Sequence, residues 1–147
     1  NLRRVGPPRF DGADRAFARE TQKDLGAAFD RALFEDIDPV PAEPGQGMHS
    51  TDQGDLSWHV PTGSLMVASY AFGAPGHSWQ VAAATGTPIG DKAMDVAART
   101  LAATGFDLMT QPDLLEQARA SFRQVREPLV FDSLLPADAR APTAIRQ

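Results

Sequence analysis

Apolar residues recur at helical spacing in three parts of the chain, which predicts three helices. The first covers about residues 12–25, where the apolar stripe is weak, and the pattern allows it to resume over 27–34. The second covers about 91–109 and has the strongest periodicity, and the third covers about 112–125. Their inward stripes are expected to be Met94, Ala97, Leu101 and Leu108, and then Leu114, Leu115, Ala118 and Phe122.

Polar residues and a proline mark the helix ends. Asp11 and Asp91 are suited to cap helix starts, because a carboxylate accepts the free N–H groups of the first turn. Pro112 fits the first turn of the third helix, with Thr110 or Gln111 as its cap. The first ten residues contain two adjacent prolines and are expected to be extended.

Two short runs are typical of β-strands. Leu56, Trp58 and Val60 alternate with polar residues, which predicts a strand ended by Pro61. The run LMVASYAF at 65–72 predicts a mostly buried strand, and a short extended or turn segment is expected over 81–90. Because two strands make a marginal sheet by themselves, we expect an α/β fold in which this chain is the carboxyl-terminal part of a larger domain.

Composition narrows the possible functions. The 147 residues carry a net charge of −5, which argues against a nucleic-acid or anionic-membrane partner. No apolar run is long enough for a transmembrane helix. The absence of cysteine excludes disulfides and thiolate catalysis and is compatible with the cytoplasm, the location that we expect. Any bound metal must therefore be held by histidine or carboxylate side chains.

The chain has three histidines, His49, His59 and His77. The first two flank a segment that contains Asp52 and Asp55, but their spacing is not that of a metal motif. His77 follows the predicted buried strand, at the position where open α/β sheets bind ligands, and Gly76 beside it allows a close backbone approach. The residues alone leave two interpretations open, a metal ligand or a histidine that caps a tight turn.

Four segments together resemble the M20 family of metallopeptidases and amidohydrolases, and within it the aminobenzoyl-glutamate hydrolase branch. They are NLRRVGPPRFDGADRAFA, STDQGDLSWHVPT, PGHSWQ and DKAMDVAARTLAATGFDLM. The resemblance implies a zinc-peptidase-like catalytic domain, with a mixed sheet flanked by helices, and a lid domain that forms the dimer and is absent from this chain. The chain would be part of the catalytic domain. It would comprise a helical return from the lid (1–34), a loop (35–49), a motif region with strands (50–80), two helices (90–126) and a tail (127–147).

The resemblance also implies metal-dependent amide hydrolysis with two divalent ions, Zn²⁺ or Mn²⁺, and a small-molecule amide substrate. His77 matches the last metal ligand of the family, whereas the general base and most other ligands are expected upstream of residue 1. Asp52 is expected to orient ligands or support the substrate pocket. Five residues near His77 and Asp52 in the sequence are also expected at the substrate pocket: Ser50, Thr51, Asp55, Ser78 and Trp79.

The resemblance implies that the remainder of the same polypeptide completes the site, and that this chain by itself is inactive. It also implies a homo-oligomer, formed through the missing lid. The alternative is a stand-alone, non-catalytic α/β module with an interaction or structural role.

Overall fold

The computed structural model describes residues 1–41, 51–133, 135, 136 and 138–140. Six α-helices follow one another in these ranges, joined by irregular segments and by a 3₁₀ turn at Lys23–Leu25. They are α1 (Leu2–Val5), α2 (Gly12–Gln22), α3 (Gln53–Ser57), α4 (Trp79–Thr85), α5 (Pro88–Thr110) and α6 (Pro112–Arg126). None of the described helices combines the length and the hydropathy needed to cross a lipid bilayer.

The start of α2 confirms the predicted cap. The carboxylate of Asp11 accepts hydrogen bonds from the backbone N–H groups of Ala13 and Asp14, at 2.9 and 3.1 Å. The carboxylate of Asp14 accepts the backbone N–H of Asp11 at 2.9 Å. This reciprocal pair is a capping box, which satisfies donors that the first turn leaves free.

The segment 81–90, predicted to be extended or a turn, is instead largely helical. The hydroxyl of Ser78 accepts the backbone N–H of Val81 at 3.4 Å and caps α4. The hydroxyl of Thr87 accepts the backbone N–H of Ile89 at 3.3 Å and caps α5, whose first residue is Pro88. The cap of α5 is therefore Thr87 and not Asp91, which lies one turn inside the helix.

The expectation of an α/β fold with a mixed sheet is wrong for the described residues, which contain no β-strand. The segment predicted as the first strand, 56–60, begins within α3 and ends in a turn. Residues 65–70 are irregular, and no backbone hydrogen bond joins 61–70 to another described residue. A strand needs a partner for its N–H and C=O groups, and the described part of the chain supplies none.

Two further expectations about the first third of the chain are corrected. Residues 2–5, expected to be extended, form α1, which packs on α5 through hydrogen bonds from the Asn1 amide to Thr104 and Asp107 at 3.1 and 2.9 Å. The helix of α2 does not resume over 27–34. Gly26 follows the 3₁₀ turn with a φ of 67°, a left-handed conformation that ends helical structure.

A small core joins distant parts of the chain. Its buried members come from before and within α2, from the loop after it, from the segment before α4 and from the start of α5. They are Phe10, Ala18, Ala32, Leu33, Ala71 and Ile89. Leu33 and Ile89 are the largest fully buried side chains among the described residues, so the apolar area that stabilises this core is modest.

The buried amide of Gln22 connects two loops to the end of α2. Its Nε2 donates to the carbonyl oxygens of Arg31 and Phe72, both at 2.9 Å. The backbone N–H of Phe72 donates to the carbonyl of Ala32 at 2.8 Å. Because these loop carbonyls have no helix or sheet partner, the side chain of Gln22 provides the hydrogen bonds that secondary structure would otherwise supply.

Three charged residues link the start of α2 to α5. The Lys92 ammonium bonds the carboxylates of Asp11, at 2.9 Å, and of Asp14, whose side chain is buried. The hydrogen bonds with Asp14 and Asp11 raise the pKa of Lys92 above its ordinary value. The hydrogen bond from Lys92, aided by backbone N–H groups, lowers the pKa of Asp11. The cluster therefore favours the charged forms of both residues.

The predicted inward face of α5 is wrong. The helix buries Ile89, Ala93, Val96 and Thr100, whereas Met94 and Leu101 are 66% and 58% exposed. The prediction for α6 holds better, since three of its four stripe residues are half-buried although none is fully buried. They are Leu115, Ala118 and Phe122.

Candidate functional site

His77 lies on an exposed turn between the core segment at Ala71 and the start of α4. Its φ is 58°, and it is the one residue other than glycine with a positive φ in the described part of the chain. A side chain with a Cβ is disfavoured there by roughly 1–2 kcal/mol. The residue is exposed, and its imidazole makes no hydrogen bond with a described residue.

The residues after His77 have clear local roles. Ser78 uses its hydroxyl as the cap of α4, which leaves that oxygen engaged with the helix backbone. Trp79 is the first residue of α4, two positions after His77, and its side chain is about half exposed. Gln80 turns inward and is buried.

The glycines of this turn differ in what they do. That Gly76 allows a close backbone approach stays a prediction; a Cβ there would meet no protein atom within 4 Å, and its φ is not positive. Gly73 has the stricter requirement, with a φ of 83° and the ring of Phe29 against its Cα. A Cβ at Gly73 would overlap that ring, so the backbone that leads into the histidine turn requires glycine at this position. The dipeptide Phe72-Gly73 after an apolar run was the available sequence signal for this turn.

The predicted carboxylates lie on α3. Asp52 precedes the helix without a side-chain capping bond, and Asp55 is in its first turn, with both side chains exposed. The hydroxyl of Thr51 accepts the backbone N–H of Gln53 at 3.4 Å, which makes a local turn. Ser50 and His49 lie outside the described residues.

An aromatic and cationic cluster anchors the segment after α3 to the end of α6. Arg126 donates from Nε to the carbonyl of Trp58 at 2.9 Å, and its guanidinium lies 5.3 Å from the centre of the indole ring. The indole stacks on Phe131 with 5.2 Å between ring centres, and His59 meets the same ring edge-on at 5.4 Å. The sequence pattern did not predict this cluster, although an arginine near the helix end and a following phenylalanine were visible.

The structure gives the two motifs separate attachments. The segment with Asp52 and Asp55 is held by α6, whereas the turn with His77 leads into α4, which packs on α5. No hydrogen bond, ion pair or aromatic contact between described residues joins His77 to either carboxylate. Across the described ranges, no three histidine or carboxylate side chains come together as a metal-binding group.

Three grooves in the described surface are lined by none of the predicted site residues. The largest runs along residues 64–74 and is closed on its other sides by the amino-terminal segment and residues 34–40. It ends three residues before His77. The described chain therefore contains a groove beside the histidine turn, and the imidazole does not line that groove.

The chain is similar to the B subunit of p-aminobenzoyl-glutamate hydrolase from Escherichia coli (strain K12), with 27% identity over 159 residues. The match covers 92% of this chain and 33% of the relative, so the chain spans about a third of the length of the curated relative it matches. No family model matches the chain, and no solved structure matches it. The similarity confirms the resemblance to the aminobenzoyl-glutamate hydrolase branch and shows a relationship to a hydrolase.

Proposed function

We propose that this chain is part of a hydrolase that cleaves the amide bond of an N-acyl or aminobenzoyl amino acid. The activity belongs to a longer polypeptide, and this chain by itself is inactive. The observation that carries the proposal is the similarity, along 92% of the chain, to a protein named as part of p-aminobenzoyl-glutamate hydrolase. The shared region is a third of that relative, which is why the proposal places the complete site in a longer protein.

In this proposal His77 is a ligand of a divalent metal, Zn²⁺ or Mn²⁺. Its imidazole is exposed and not engaged by another described residue, so one ring nitrogen is free to bind a metal. Catalytic zinc sites use three protein ligands, and the described residues hold no such group, so this chain fits as the donor of one ligand. A metal held in this way supplies Lewis-acid chemistry for hydrolysis of an amide.

The conformation of His77 supports a role beyond folding. Strained residues persist when the surrounding structure fixes them, and they are concentrated at functional sites. A turn that served the fold alone would favour glycine at a φ of 58°. A histidine at this position is consistent with selection for its imidazole.

The exposed residues near the two motifs are proposed to contact substrate or to support metal ligands. Asp52 and Asp55 carry free carboxylates, and Trp79 offers a partly exposed indole beside the histidine turn. The hydroxyl of Ser78 is occupied by its capping bond, so its contribution would be to position the turn. Thr51 and Ser50 complete the residues that we propose to lie at the substrate pocket. The complete protein is also proposed to form a homo-oligomer, through a part that lies outside this chain.

The test is hydrolysis of p-aminobenzoyl-glutamate and N-acyl amino acids by the gene-encoded polypeptide, before and after chelation and readdition of Zn²⁺ or Mn²⁺. We expect His77→Ala to lower activity by about a hundredfold or more and to remove bound metal, since even outer-shell changes cost about 10–100-fold. The matched control is His59→Ala, because His59 is also exposed but lies at the edge of Phe131.

Activity that survives chelation, or a His77→Ala variant that keeps its metal and its rate, contradicts the metal-ligand role. The absence of hydrolysis on every N-acyl amino acid contradicts the proposed reaction. Equal losses in the His77→Ala and His59→Ala variants point to destabilisation of the protein and not to a missing ligand.

A further inference from the structure

One side of α5 carries a long apolar stripe that is exposed or half-buried. Met94, Ala97, Leu101 and Leu108 follow the spacing of one helix face, which we call the outer face of α5. They span roughly 21 Å at 1.5 Å per residue. The buried residues Ile89, Ala93 and Val96 form a different face, so the outer face is additional to the core.

The outer face continues onto the chain segment beside it. Leu65, Val67 and Ser69 line a groove together with Asp91, Met94 and Ala97 of α5. The backbone of 61–70 forms no backbone hydrogen bond with another described residue, so its N–H and C=O groups are available to a partner. A helix face and an unpaired segment thus form one continuous surface.

Residues 64–70 of this surface lie in a stretch of sequence without formal charge, whereas Asp91 of α5 also lines the groove. From residue 56 to residue 90 the sequence contains no Asp, Glu, Lys or Arg. Solvated surfaces of soluble domains normally mix charges of both signs, whereas the centres of protein contacts are depleted of charge. Apart from Asp91, the chemistry of the groove is therefore that of a contact with an apolar polypeptide.

The total exposed area supports the same conclusion. The chain exposes 11707 Å², whereas a folded monomer of 15.8 kDa exposes about 7,300 Å². Even fully extended, the eighteen residues outside the described ranges would expose only about 2,800 Å². The excess area is consistent with a protein surface that is normally covered.

We propose that the outer face of α5 and residues 64–70 are covered by polypeptide of the same protein, equivalent to the two-thirds of the relative that this chain does not span. The inference rests on the proposed function, which places the chain in a longer protein. The relative supplies enough additional chain, since the match covers 33% of it. A second copy of this chain fits less well, because each copy carries a net charge of −5 and the copies repel one another.

The absence of cysteine from this chain provides the test. Single variants Met94→Cys and Leu101→Cys are labelled with a maleimide in the 147-residue chain and in the gene-encoded polypeptide, with peptide-resolved mass spectrometry as the readout. We expect ready labelling in the short chain and labelling at least about tenfold slower in the long polypeptide. Asp95→Cys is the matched control, because Asp95 is on the same helix with a side chain 64% exposed, and it should label equally in both.

Equal labelling of Met94→Cys in the two proteins overturns the inference, and so does a gene that encodes these residues alone. Protection within the short chain, together with a doubled mass in solution, would assign the surface to a second copy and also overturn it. Labelling does not depend on activity, so the proposed reaction and the proposed covering of α5 can be refuted independently. A protected face in an inactive polypeptide refutes the proposed reaction alone, and free labelling in an active one refutes the covering alone.

Discussion

The left-handed conformation of His77 separates two explanations for the residue. If the turn needs the imidazole for folding, its removal should lower stability. If the histidine is kept for binding, glycine should relieve the backbone strain, since a Cβ in this region costs roughly 1–2 kcal/mol and glycine loses about 0.5–1 kcal/mol through its greater entropy when unfolded. The structure favours the second explanation, because no described residue engages the ring.

We therefore expect His77→Gly to leave the free energy of unfolding unchanged or to raise it by up to about 1 kcal/mol. His77→Ala keeps the strain and should unfold close to the original protein. Urea unfolding followed by circular dichroism checks both. A clear loss of stability in the glycine variant would show that the imidazole supports the fold.

Because Lys92 binds Asp11 and Asp14, we expect the stability that this cluster contributes to be lost at both low and high pH. The pKa of Asp11 is lowered from 3.8, so its stabilising contribution is present above that pH and is lost as the pH falls through the lowered value. The pKa of Lys92 is raised from 10.5, so its contribution is present below that pH and is lost as the pH rises through the raised value.

Lys92→Met should therefore unfold at lower urea concentration than the original protein, by a margin that is constant between about pH 5 and pH 9 and narrows outside this window. Unfolding midpoints measured from about pH 3 to about pH 11 check the prediction. Arg99→Met is a suitable control, since Arg99 meets one exposed carboxylate at 3.5 Å. A margin that does not change with pH would show that Lys92 acts through packing alone.

At the scale of elements, short polar residues define where α4 and α5 begin. Ser78 and Thr87 each accept a backbone N–H of the first turn. Replacing either by alanine leaves that donor without its partner, and we expect each change to cost about 1 kcal/mol of unfolding free energy. Gln124→Ala, on the exposed side of α6, should stay within about 0.5 kcal/mol. Urea denaturation provides the comparison, and equal effects at all three positions would refute the assignment of the caps.

The helices that could be predicted from the sequence are those whose signals are local. Asp11 with Asp14, and Gln111 with Pro112, lie at the starts of α2 and α6, and α2, α5 and α6 are found close to their predicted bounds. The caps Ser78 and Thr87 carry the same kind of signal, but the glycines and the proline around Thr87 fit an extended or turn segment equally well.

The features that the sequence could not provide depend on distant partners. Residues 65–70 have strand-like composition, but a strand exists only where another segment pairs with it. On α5 two apolar stripes fit the helical period, and the choice of the inner one depends on Phe10, Ala18 and Leu33, which are far away in the sequence. The attachment of Trp58 to Arg126 also joins residues far apart in the sequence, so no local pattern predicts it. The exposure of His77, in contrast, follows from its position in a turn.

At the scale of the molecule, a small core is combined with a large exposed apolar surface. The described residues bury few large side chains, while Met66, Met94 and Leu101 lie at the surface. Contacts to further polypeptide would add apolar burial at about 25 cal/mol per Å². The same surface thus bears on the stability of the protein.

The hydrogen bonds of Gln22 also bear on how the protein can change in length during evolution. Its amide joins the end of α2 to Phe72, fifty residues away, and so holds together the two ends of the segment between them. Lengthening a segment whose ends are held together changes stability little, because each doubling of a loop's length adds only about 0.6 kcal/mol to the entropic cost of closing it. The match to the relative extends over 159 residues although this chain has 147, so extra residues fall within the matched region. Because Gln22 holds both ends of this segment, residues added within it are expected to leave α2, α4 and α5 in their arrangement.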